Sequence, residues 1–127
     1  MTIEDSRRLK RRKADASIQV VDCMTQLTIG FIADLSEVGM MLSSVNGVRS
    51  DGLYQCEIRF LKQSGIEKSI LVGAHELWSS INAKTGKNEA GFRFIDINPE
   101  DRIWLRGWVN EPGSSYGSRE NGPTAGV

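Results

Sequence analysis

Residues 53–61 read LYQCEIRFL, and from Tyr54 the order is strict: Tyr54, Cys56, Ile58 and Phe60 alternate with Gln55, Glu57 and Arg59. A period of two puts apolar groups on one face and polar groups on the other only in a β-strand, and a strand with one wet face belongs to a sheet packed on one side. Shorter runs rich in Val, Ile, Leu and Phe recur through the chain, broken by Gly, Asn, Asp and Ser. They predict strands over residues 17–22, 26–33, 38–43, 53–61, 70–79 and 90–95. The period then lengthens. Asn98 is placed to cap a helix with Pro99 at its first position and Glu100 and Asp101 in its first turn, where the helix dipole favours acids. Trp104, Leu105, Trp108 and Val109 supply an apolar stripe at helical spacing, and Pro112-Gly113 ends the segment.

Six short strands and a closing helix within 127 residues fit one modest core. Closure into a small barrel removes the unpaired edges that an open sheet would present. The expected fold is therefore mainly β: a six-stranded antiparallel β-barrel with a C-terminal α-helix. A flexible basic N-terminal arm (residues 1–13) precedes the body (14–110), and a disordered tail (111–127) follows it.

Charge sharpens this division. The chain holds sixteen Lys and Arg against sixteen Asp and Glu. Residues 1–13 carry six bases against two acids, a net +4, so residues 14–127 carry −4. A basic arm on an acidic body argues against a barrel coated by nucleic acid, and no strand interleaves basic and aromatic residues on one face. Cys23 and Cys56 stand apart from any metal-ligand or disulfide spacing, so no metal is expected. The one histidine, His75, lies mid-strand with no nucleophile at motif spacing and reads as structural. Phosphate-cradling loops and nucleophile elbows are missing. These features predict a binding protein with no catalytic residues, not an enzyme. With no apolar run of membrane length and no secretory pattern, the expected location is the cytoplasm.

Two features remain. One is Arg7-Arg8-Leu9-Lys10-Arg11-Arg12-Lys13, whose plain reading is a solvated basic tail. The other is Asp34-Leu35-Ser36-Glu37-Val38-Gly39, whose plain reading is a turn between two strands. Together they describe more. Guanidinium forks bind phosphate in bidentate fashion and pair with the O6/N7 edge of guanine. A carboxylate such as Asp34 accepts from the opposite guanine edge, Ser36 adds a hydroxyl, and Gly39 permits close backbone approach.

On these residues the sequence resembles a PilZ domain, the bacterial receptor module for cyclic di-GMP. The family pattern RxxxR on a flexible arm is matched by Arg8 to Arg12, and [D/N]xSxxG by Asp34, Ser36 and Gly39. Leu77-Trp78, GFRFIDINPEDR and the amphipathic closing helix extend the likeness over residues 7–110. Arg7 and Arg11 also satisfy RxxxR; the Arg8/Arg12 register is preferred because Arg12 lies nearer the first strand. The resemblance implies a PilZ-type, split-barrel-like fold that binds cyclic di-GMP, in many members as an intercalated dimer. Arg8 and Arg12 would clamp phosphates and bases, Asp34 and Ser36 would meet a guanine edge, and Gly39 would keep the turn open. Arg7, Arg11 and Trp78 are additional candidate contacts. No cofactor beyond this ligand is implied. The signal would leave through an effector protein, in control of motility, biofilm, polysaccharide or virulence. The alternative is an adaptor of the same fold that binds no nucleotide.

Overall fold

The computed structural model describes residues 10–14 and 17–111. Arg7 and Arg8, the rest of the arm through residue 9, and residues 112–127 lie outside it. Within it run β1 (Arg12–Lys13), β2 (Ile18–Asp22), β3 (Thr28–Leu35), β4 (Gly39–Ser43), β5 (Leu53–Lys62), β6 (Gly65–Ile81), β7 (Asn88–Ile97) and one helix, α1 (Pro99–Val109). All pairings are antiparallel. The order β3-β2-β5-β6-β7-β4 returns to β3 through a β3–β4 pairing, so six strands form a ring. The expected antiparallel, mainly β architecture with a closing helix is observed.

Burial follows the alternation that defined the strands. Tyr54, Cys56, Ile58 and Phe60 face inward with Val20, Ile32, Leu42, Ile70, Val72, Ala90 and Phe92, and α1 adds Leu105 and Val109 to the same cluster. Trp104 and Trp108 pack edge-on to Phe60, at 4.8 and 5.5 Å between ring centroids, so the helix closes one end of the core. Asn98 caps α1 as expected, its side-chain oxygen accepting from the Glu100 amide at 2.8 Å. The helix stops at Val109, before Pro112, with Asn110 as its C-cap. Burial pushes the Cys56 thiol up to about 12, leaving it an inert core group.

Two differences from the expected boundaries bear on the site. The second strand starts and ends two residues later than the sequence predicts, at Thr28–Leu35, so Asp34 is a strand residue and only residues 36–38 form the turn. Cross-strand pairing on both sides of Asp34, to Lys13 and to Met41, carries the strand that far. Arg12 and Lys13, read from sequence as part of the arm, form β1 along the β3 edge that β2 occupies further on.

His75 contacts Asp51 through its Nε2 at 2.5 Å, and buried Glu76 accepts from the Asp51 amide at 2.8 Å. These contacts fasten the β4–β5 loop to β6.

Candidate functional site

The site is built on the outward face of four strands. Antiparallel register sets Asp34 of β3 opposite Met41 of β4, Met41 opposite Gly91 of β7, and Gly91 opposite Trp78 of β6. Two positions along, Gly39 of β4 faces Arg93 of β7. Side chains two apart on a strand share a face, so Gly39 lies with Met41 and Arg93 with Gly91. The result is a band with an acid at one side, an indole at the other, and glycine at two of the positions between.

Each glycine is required for a different reason. A β-carbon at Gly39 would overlap the Phe92 carbonyl oxygen, so β4 and β7 pair at this distance only because the side chain is missing. A β-carbon at Gly91 would overlap the Trp78 indole, which lies against that glycine. Trp78 is 44% exposed, leaving an aromatic face for a planar partner.

The Asp34 carboxylate is met by Arg11, whose Nη1 donates to Oδ1 at 2.8 Å. Asp34 keeps 21% side-chain exposure and Arg11 45%, so solvent or a ligand reaches the pair. Arg12 points elsewhere. Its guanidinium lies 4.1 Å from the centre of the Trp108 ring, donates to the Trp108 carbonyl at 2.8 Å, and pairs with Glu111. It therefore serves the C-terminal end of α1, where carbonyls and the helix dipole favour a cation.

Ser36 is 1% exposed. Its hydroxyl oxygen accepts from the Val38 amide at 3.2 Å and donates to the Gly39 carbonyl at 3.4 Å, while its own amide donates to that carbonyl at 2.9 Å. Ser36 thus closes the turn that aims Asp34 and Gly39. The turn is also fixed to the helix, because Arg106 Nε donates to Glu37 at 3.0 Å.

Beside this face lies a cavity of about 400 Å³ lined by Arg11, Val38, Gly39, Leu77, Phe92, Arg93, Phe94 and Arg102. Among the described residues, three arginines and no acid line it. The structure therefore brings together Arg11, Asp34, Gly39 and Trp78 on one face, turns Ser36 inward, and sends Arg12 to the helix. Sequence reasoning passed over Arg93 and Arg102. Arg93 carried a signal, since it stands between buried Phe92 and Phe94 and must face outward by period two. Such a face suits a planar anion with a hydrogen-bonding edge: guanidinium groups for phosphate, a carboxylate for a donor edge, an indole for stacking.

No protein-family model and no curated protein sequence matches the chain. Solved structures do. The Bacillus subtilis inhibitor of motility MotI/DgrA superposes with a TM-score of 0.65 at 15% identity, over 80% of this chain and 48% of that one. The PilZ domain of YcgR from Escherichia coli, solved with c-di-GMP, gives 0.58 at 18% identity, over 80% and 87%. The K. pneumonia MrkH–c-di-GMP complex gives 0.64 at 12% identity, over 80% and 50%. The chain spans about half the length of MotI and MrkH but nearly all of the isolated YcgR domain. Ring of strands, closing helix and structural likeness agree: this chain has the fold of a PilZ domain.

Proposed function

We propose that the chain is a receptor for cyclic di-GMP, which it binds on the face running from Arg11 and Asp34 across Gly39 and Gly91 to Arg93 and Trp78. The observation that carries this reading is the Arg11–Asp34 pair at 2.8 Å on a glycine-floored sheet face. That face belongs to a fold whose solved examples include c-di-GMP complexes. The pair is a closed form of the site. Nucleotide binding parts it, Asp34 turning to the N1/N2 edge of a guanine and Arg11 to a phosphate or to the guanine O6/N7 edge.

The same pair favours the Arg7/Arg11 register of RxxxR over Arg8/Arg12, since Arg11 is the arginine at the carboxylate and Arg12 is engaged at α1. Ser36 acts by holding the turn. The protein performs no chemistry and passes the signal to an effector protein, with control of motility among its outputs. No helix among the described residues is long and apolar enough to cross a membrane. As a receptor for a bacterial second messenger, the protein would act in the cytoplasm.

Calorimetric titration with cyclic di-GMP tests the reading, with GMP as the control for a lone guanine nucleotide. Saturable binding of the cyclic dinucleotide, lost in Asp34→Ala, is the expected result. No heat and no thermal stabilisation with ligand in large excess would instead support the adaptor that binds no nucleotide.

A further inference from the structure

Most arginine side chains on the described body have a partner. Arg59 pairs with Glu57, Arg106 with Glu37, Arg12 with Glu111, and Arg49 lies 4.8 Å over the Tyr54 ring. Arg93 and Arg102 have no such partner among the described residues, both are exposed, and both line the cavity that Arg11 borders. The segment from residue 14 onward carries more acids than bases, yet among the described residues no acid lines this cavity. Uncompensated guanidinium groups around one concavity repel one another, and an anion between them relieves the repulsion.

Their placement on the fold is specific. Arg93 stands on β7 between Gly39 of β4 and His75 of β6, so the missing side chain at Gly39 leaves one flank open. Arg102 comes from α1, a separate element packed over the end of the core. From these observations we propose that Arg93 and Arg102 form a second cationic wall of the site, which holds a phosphate of the bound cyclic dinucleotide and ties the ligand to α1. This rests on the receptor reading above and adds two contacts outside both sequence motifs, one of them on the helix. The ligand then bridges sheet and helix, and α1 is the element through which occupancy reaches the rest of the molecule.

The test is calorimetric titration of cyclic di-GMP into wild type, Arg93→Ala, Arg102→Ala, the double variant and Arg93→Lys, with Arg59→Ala as a control for loss of charge elsewhere. Amide hydrogen exchange on α1 is read with and without ligand. Each alanine variant should weaken binding by roughly tenfold or more, as loss of a charge-assisted hydrogen bond does. Arg93→Lys, which keeps charge but loses the fork, should fall between wild type and Arg93→Ala, and Arg59→Ala should bind as wild type. Ligand should slow exchange along α1 in wild type and not in Arg102→Ala. Both side chains are exposed, so thermal melts of the variants should match wild type. Wild-type affinity in the double variant, or an equal loss in Arg59→Ala, overturns the second wall while leaving the receptor reading intact. No binding by wild type overturns the receptor reading, and the second wall with it.

Discussion

Replacing Arg12 with alanine removes three contacts at the end of α1 and none at the carboxylate of Asp34. The side chain is three-quarters buried, so the stacking on Trp108 contributes ~1 kcal/mol. The bond to the Trp108 carbonyl adds ~1.5 kcal/mol, and the exposed pair with Glu111 adds less than ~0.5 kcal/mol. These contacts share one group and are not additive, so the expected loss is ~2 kcal/mol. At roughly 4 °C per kcal/mol for a domain of this size, the thermal midpoint should fall by ~8 °C, with α1 the element that loosens. Arg11→Ala breaks a solvent-accessible pair and should cost no more than ~1 kcal/mol. Ligand affinity should show the reverse order, falling far more in Arg11→Ala than in Arg12→Ala. Thermal unfolding by circular dichroism and cyclic di-GMP titration on the two variants check both halves. If Arg12→Ala melts like wild type and abolishes binding while Arg11→Ala retains it, the reasoning from the Arg12–Trp108 contact is refuted and the Arg8/Arg12 register stands.

Gly39→Ala and Gly91→Ala should separate despite their shared face. The first drives a methyl into the Phe92 carbonyl and should destabilise by ~1–3 kcal/mol in chemical denaturation. The second drives a methyl into the Trp78 indole, a side chain that can turn aside where the Phe92 backbone cannot, and should chiefly change tryptophan emission. Glu57 accepts from Arg59 at 2.9 Å and from Ser69 at 2.5 Å, and these bonds hold its carboxyl below the usual range. A depressed folded-state value means stability present above the unfolded pKa and lost as pH falls through the folded one. Glu57→Gln should therefore lower the melting temperature relative to wild type at neutral pH, with the difference vanishing in acid; a difference that persists unchanged at low pH would contradict it.

The strands were legible because alternation is a local property: Tyr54 to Phe60 announces its buried face within seven residues. Their ends were not, since pairing sets them. β5 and β6 run on to Lys62 and Gly65 through cross-strand bonds across a bulge, over a segment whose composition reads as loop. The site divides in the same way. Asp34 and Gly39 could be named from their spacing, but Ser36 belongs to the same motif and turns into the protein, because a short hydroxyl in a tight turn meets its own backbone first. Which of Arg11 and Arg12 faces Asp34 depends on a two-residue strand that exists only by pairing with β3, and adjacent strand residues point to opposite faces. Arg102 was not legible at all, because its helix reaches the cavity only through tertiary docking.

Backbone amide shifts recorded by NMR during titration with cyclic di-GMP test the central claim most directly. Saturable perturbations should centre on Arg11, Asp34, Gly39, Gly91 and Arg93, with Ile66 and Leu71, exposed elsewhere on β6, unchanged. No perturbation in ligand excess, or perturbations centred on Ile66 and Leu71, would contradict the proposed site.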